Sequence, residues 1–512
     1  MTRRQDSYHP MHHLYITAAL LMFLSAFPVP AQDDGRDFSV ILGEEDILPA
    51  SSHLPRIMGC DSGAIYALGR DYLYYMKRYS PQLECEIREE IKLYEKLRER
   101  EIIAVVHFFD TLYLFTMEER FKYNYLYVET IDKESMKQNF DARIVFRARH
   151  IKGWETEFGV VLSREEKRLL AYSQNILPWR SMQYLQFKVF GNGLDLQWEK
   201  RTHVSYEHIF NHETQMVVDE AGNVFMLDHY FEPTLPRPLD PRVNGYLFLS
   251  LTENGSIRYE DVISFTGKYI KDIRINTYRN RDMACTGLWS ERRFEGQAEG
   301  VFYFRFNTRN GRLEDPRFHT FPDGIIASFL DAKPEKEPEE MLGIQLLEFI
   351  PRNSGQYIAI AEQQFEQDYH AVNNLLIYAI RPTGDIAWYE VIRKKQNRNT
   401  LNRWDYNSFA LVAPVDKDWV GILYNDDLRN LDTKRKRLIS FNHNSRGYFN
   451  CVQINKNGNR KEFAVYRKSK RRMPTPLPTR FYDTKTNAII LPANRYRRYF
   501  LMWIRLEDFI KP

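Results

Sequence analysis

His203, His208 and His212 lie close together, with Glu213 directly after the last of them. His212-Glu213 opens like the helix of a zinc protease, where a histidine four residues on completes the metal face and the glutamate acts as general base. Met216 stands at that position, so the motif breaks and the cluster reads as a polar connection between strands. Cys60-Asp61-Ser62-Gly63 sets a serine beside a carboxylate, but it lacks the flanking glycines of a nucleophile elbow and reads as a polar turn. Gly267-Lys268 ends as a phosphate loop does, yet Tyr269 follows where Ser or Thr would hold Mg²⁺. The carboxylates are too numerous for one pair to stand out as the acid and nucleophile of a glycosidase. The sequence therefore offers no catalytic residue, no cofactor-binding residue and no metal ligand, and implies no cofactor.

Charge distribution says more. Residues 391–512 hold 27 Lys and Arg against 10 Asp and Glu, although the whole chain has a net charge of only +4. The rest of the chain is therefore acidic, and the molecule is polarised along its length. The densest basic clusters are Thr433-Lys434-Arg435-Lys436-Arg437 and Lys468-Ser469-Lys470-Arg471-Arg472. Such a segment attracts an acidic partner: a lipid headgroup, an acidic glycan or an acidic protein face. A solvated basic face is the plainer alternative.

The partner's location follows from the N-terminus. Arg3 and Arg4 precede an apolar run, Leu14 to Phe27, of signal-peptide length, and Val29-Pro30-Ala31 supplies small residues for cleavage. The run is shorter than the roughly 20 residues of a membrane span. Residues 1–31 are expected to be a signal peptide, leaving a mature chain at 32–512 without a transmembrane span. An exported chain has little use for nucleic acid. Its expected location is periplasmic or outer-membrane associated.

The elements that would position any site are strands. Phe and Tyr number 33 and 32, and aromatic residues favour sheet. Alternating apolar runs turn at Asn192-Gly193, Asn254-Gly255, Asn310-Gly311, Thr383-Gly384 and Asn457-Gly458. Asn-Gly between such runs is a strong hairpin signal, because both turn positions take φ > 0. Midway between these lie shorter strand pairs that turn at Asp61-Ser62-Gly63, Ala221-Gly222-Asn223, Asn353-Ser354-Gly355 and Asp416-Lys417-Asp418. Two hairpins per period make a four-stranded meander that must stack on its neighbours to bury both faces. The turn glycines lie 62, 56, 73 and 74 residues apart. This gives an all-β chain, a β-propeller of about seven four-stranded antiparallel blades, or eight when meanders are counted directly. Phe38 to Leu42 is a strand with no unit of its own, and Arg480 to Leu506 is an incomplete unit, so pairing the two ends would close the ring. Leu83 to Glu101 reads equally as a solvent-facing helix or a charged outer hairpin.

These repeats resemble exported β-propeller proteins of Gram-negative envelopes, whose units run strand, D-x-x-G-N, strand, loop, strand, N-G, strand. Thr383-Gly384 with Trp388 also resembles one turn of a quinoprotein repeat, but Tyr259 and Asp315 replace that Trp in other units and do not support a quinone enzyme. The resemblance implies a non-catalytic platform that binds a protein or ligand in the cell envelope. The alternative is a carbohydrate-active enzyme with carboxylates in the central channel. Of the four cysteines, Cys285 and Cys451 are expected to be buried thiols in different blades. Cys60 and Cys85, 25 residues apart in one meander, leave a disulfide open.

Overall fold

The computed structural model describes residues 39–505, apart from 48–52, 96–97, 150–154, 177–182, 205–213, 231–244, 278–281, 293–296, 331–340, 366–370, 398–406, 415–416, 432–437, 442–446, 469–474, 477–480, 484–487 and 496–497. The N-terminal 31 residues, His208, His212, Glu213 and most of the two basic clusters lie outside these.

Eight antiparallel sheets of four principal strands form a propeller. Blades 1 to 7 occupy 53–90, 101–149, 155–204, 215–263, 269–320, 344–397 and 410–468 in turn. Blade 8 takes its strands from 475–505 and its outermost strand, Ser39–Leu42, from the N-terminal end, which pairs with Arg498–Arg505. The ring thus closes on a strand from each end of the described chain. The count is eight, the upper of the two values expected from the repeats.

Burial follows from blade stacking. Gly245–Leu251 and Gly447–Asn455, third strands of blades 4 and 7, are buried at every position because neighbouring blades cover both their faces. The outer strand Ile257–Ile263 instead alternates toward water. The two hairpins of each repeat turn on one side of the disc, hereafter the short-turn face. The connections between second and third strands, and from blade to blade, lie on the opposite face, the long-loop face. All five expected turn glycines have positive φ, from 65° at Gly193 to 90° at Gly384.

The aromatic after several of these turns has a packing role. Trp198, on the outer strand of blade 3, donates its indole N–H to Gly222 O of blade 4 (3.0 Å). Its ring also lies where a Cβ on Gly255 would come within 2.9 Å. Trp388 repeats the arrangement from blade 6, donating to Lys456 O of blade 7 (2.9 Å) beside Gly458. Each Trp locks one blade's outer strand onto the next blade's turn.

Two open readings are resolved. Cys85–Glu90 is the outer strand of blade 1, followed by a small hairpin pairing Tyr94–Glu95 with Arg98–Glu99, so the described residues of 83–101 hold strands and no helix. Cys60, Ile65, Tyr79 and Cys85 form one row across the four strands of blade 1. Three inter-strand steps of about 4.8 Å separate the end sulfurs' strands by roughly 14 Å, twice the reach of a disulfide, so Cys60 and Cys85 are not bridged. Cys285 and Cys451 are buried, unbridged thiols, and burial pushes both above the ordinary thiol range.

Candidate functional site

The described residues among those singled out for chemistry make structural contacts. Asp61 Oδ1 accepts the N–H groups of Gly63 (3.0 Å) and Ala64 (3.1 Å), so Cys60–Gly63 is a capped strand turn. His107 and Asp110 of blade 2 complete a three-residue set with Asp61 that has the donor chemistry for a divalent cation. Lys133 already stands there: its ammonium donates to Asp61 Oδ2 (2.7 Å) and to Asp110, while Tyr66 Oη donates to Asp61 (2.7 Å). Burial raises the Asp61 carboxyl, but hydrogen bonds from Lys133, Tyr66 and Gly63 outweigh it and hold Asp61 below the usual carboxylate range. The cluster is a tie between blades 1 and 2. Gly59 belongs to it, because a Cβ there would come 2.5 Å from His107 Cβ.

His203 sits opposite Tyr184 within blade 3, and Met216 is core on blade 4. Lys268 lies over the Trp289 ring at 3.6 Å, a cation–π contact in a blade connection. Among the inner strands, Gln215 Nε2 donates to Ile273 O (2.7 Å) and its Oε1 accepts from Ile275 N (3.2 Å). Asp272 accepts from Leu346 N (2.7 Å), and Arg274 donates to Leu346 O (3.1 Å). These side chains pair the inner edge of blade 4 with blade 5 and that of blade 5 with blade 6, so Asp272 is committed to a backbone partner.

The arrangement best suited to a ligand lies on blades 1 and 2 and was not singled out from the sequence. Tyr123, Tyr125 and Tyr127 alternate along the third strand of blade 2, Tyr123–Ile131, and so share one face, toward blade 1. Tyr125 and Tyr127 stack with centroids 6.0 Å apart, and Tyr123 meets Tyr125 edge-on at 6.2 Å. Arginines interleave with them: Arg147 over Tyr123 at 3.7 Å, Arg120 over Tyr125 at 4.5 Å and Arg100 over Tyr127 at 4.4 Å. Glu118 chelates Arg120 (2.6 and 2.9 Å), and Arg120 also donates to Tyr127 Oη (2.8 Å). The carboxylate holds that guanidinium more firmly charged than usual. Burial, then the nearby Glu118 charge, raises the Tyr127 phenol.

Around this ladder apolar side chains face water. Tyr72 (82% exposed) and Phe121 (93%) occupy the three-residue connections 71–73 and 120–122 on the long-loop face of adjacent blades. Phe140 and Ile144 stand out from the twelve-residue outer strand Gln138–Arg149, whose pairing is bulged beside both. Bulges re-aim side chains and break a continuous edge, which here turns rings and arginines outward. Arg143, Arg147 and Arg149 are exposed on the same strand. The Tyr-x-Tyr-x-Tyr alternation was the available sequence signal; its arginine partners come from other strands and connections.

No protein-family model matches the sequence, and no curated protein matches it either. Solved structures do resemble it in shape. The WD40 domain of SCAP from fission yeast aligns with 6% identity and a TM-score of 0.40, over 90% of this chain and 98% of that one. Prolyl oligopeptidase B from Galerina marginata aligns with 11% identity and a TM-score of 0.39, over 87% of this chain but 55% of that one. A family PL25 ulvan lyase aligns with 10% identity and a TM-score of 0.37, over 78% and 90%.

Proposed function

We propose that this chain is an exported, non-catalytic interaction platform of the cell envelope that holds an acidic protein partner against blades 1 and 2. The observation that carries the reading is water-facing Tyr72, Phe121 and Ile144 on the two blades that hold a tyrosine–arginine ladder, with Ile144 opposite Tyr127. Protein interfaces are enriched in Tyr, Phe and Arg, and their energy concentrates in such residues. Exposed Arg143, Arg147 and Arg149 favour an acidic face on the partner, and charge complementarity would steer its approach. The basic clusters at 433–437 and 468–472 extend the preference for an acidic partner. Export rests on the signal-like N-terminus.

Affinity capture from envelope fractions tests the platform, with Phe121→Ala and Arg147→Glu as disruptive variants and Arg312→Glu on blade 5 as control. Wild type and the control should retain a stoichiometric partner that both disruptive variants lose. Equal retention by all four would overturn the assignment to blades 1 and 2. Fractionation should place the mature chain outside the cytoplasm, beginning near Gln32; a full-length cytoplasmic product would refute export.

A further inference from the structure

We infer that the wedge between blades 8 and 1 is a binding site for a small oxyanion-bearing molecule, held across the seam where the ring closes. The fewest buried apolar side chains gather here among the described residues. Among the described residues nineteen buried apolar side chains cluster between blades 5 and 6, but seven between blades 8 and 1. The space left is a cavity of about 260 Å³. That is slightly below the ~300–1,000 Å³ of sites for drug-sized ligands, which suits one ring with its substituents.

The lining specifies the chemistry. Lys77, on the third strand of blade 1, is 2% exposed and lines the cavity. It donates to Tyr499 Oη of blade 8 (2.6 Å), which lies 3.1 Å from Tyr79 Oη of blade 1. One ammonium and two phenols thus meet across the seam, and Arg88, which pairs with Asp71 (2.6 Å) and lies over the Tyr75 ring (3.9 Å), lines the cavity rim. A carboxylate or phosphate offers several acceptor sites to such donors. Leu83 and Leu501 supply apolar contact for a ring, and exposed Glu44 is an acceptor for its hydroxyls. Glu45 is turned toward blade 8 by Arg495 (2.6 Å) and Arg498, so its charge is compensated. A ligand seated here contacts both blades and adds to the strand pairing that closes the ring.

The mature chain, thermally melted with D-glucuronate, D-glucose or inorganic phosphate, tests this with Cys85 as a reporter, since its exposed thiol lines the same cavity. Glucuronate should raise the melting midpoint saturably and slow Cys85 alkylation several-fold, while glucose does neither. A response to phosphate alone keeps the oxyanion site and names phosphate as its source. Lys77→Met and Arg88→Gln should each abolish both effects; Arg88, on the accessible rim, keeps the test valid if the Lys77 variant does not fold. No saturable shift with either acid, or a shift that survives Arg88→Gln, overturns the site.

Discussion

Blades 4 to 7 and blades 1 and 2 share one four-stranded unit but turn it by different means. Blades 4 to 7 place Gly255, Gly311, Gly384 and Gly458 at positive φ in their outer hairpins, where glycine carries no steric penalty. Between Gly69 and Gly153 there is no glycine at all. Blades 1 and 2 force Leu83 (φ 67°), Phe109 (φ 52°) and Met136 (φ 58°) into the left-handed region instead. Each such residue costs on the order of 1–3 kcal/mol and persists only where the surroundings over-determine it. Leu83 and Met136 are buried and recover part of that cost by packing. Phe109 is half-exposed, so its ring is kept at a strained position without equivalent burial. Strain together with water-facing rings distinguishes this sector and is what the proposed contact role draws on. Blades 5 to 7 are built for cohesion, and the difference can be broken at either end.

The largest effect is expected where cohesion is polar. Glu362 and Lys394, both fully buried, pair at 2.7 Å in blade 6. Gln364 (3.0 Å) and Ser408 (2.9 Å) also donate to Glu362 Oε2. Lys394→Met leaves a buried carboxylate without its cation and should destabilise by about 3–5 kcal/mol in urea unfolding. Glu362→Leu combined with Lys394→Met should recover most of the loss. If the single variant unfolds like wild type, the pair does not bind the network together.

A smaller effect comes through pH. Burial raises the Asp426 carboxyl to about 6, although hydrogen bonds from Asn430, the Asp427 N–H and Tyr448 oppose it. The folded chain therefore holds this proton more tightly than the unfolded chain. Asp426's contribution is full below the unfolded value near 4 and is lost as pH rises through 6. The loss is at most about 3 kcal/mol. Asp61 in blades 1 and 2 runs the other way: its depressed carboxyl stabilises above the unfolded value and loses that contribution as pH falls. Asp426→Asn stays neutral throughout, so in denaturation it should match wild type near pH 4 and be the more stable of the two, by up to about 3 kcal/mol, at pH 7. A constant difference would refute the shift.

Turn glycines come next, and they also explain what the sequence disclosed. Gly255→Val puts a β-branched residue at φ 76° against Trp198 and should cost about 1–2 kcal/mol, read as a lower urea midpoint. An unchanged midpoint would mean that the turn relaxes. The same Asn-Gly and Thr-Gly signals made blades 3 to 7 legible, because φ > 0 leaves its mark on residue choice. Blade 2 turns on Phe109-Asp110 and left no such mark. The tyrosine alternation at 123–127 was visible, but Arg100 and Arg147 reach it from other parts of the chain. Lys77 and Tyr499 meet across 422 residues, a juxtaposition that exists only once the ring closes.

The smallest effect is expected at the most exposed rings, and its smallness is the test. Removing a buried aromatic such as Phe302 from blade 5 would cost about 3–5 kcal/mol, from lost apolar contact and the cavity left behind. Phe121 has almost none of that contact, since its ring stands in water at the end of a short connection. Phe121→Ala, alone or with Tyr72→Ala, should therefore leave the urea midpoint within about 0.5 kcal/mol of wild type while weakening partner capture. The double variant should also be the more soluble, because exposed apolar rings promote association. A loss above about 1 kcal/mol would show that these rings already support the fold. The contrast between a cohesive sector and a contact sector would then fail on the blades where it was drawn.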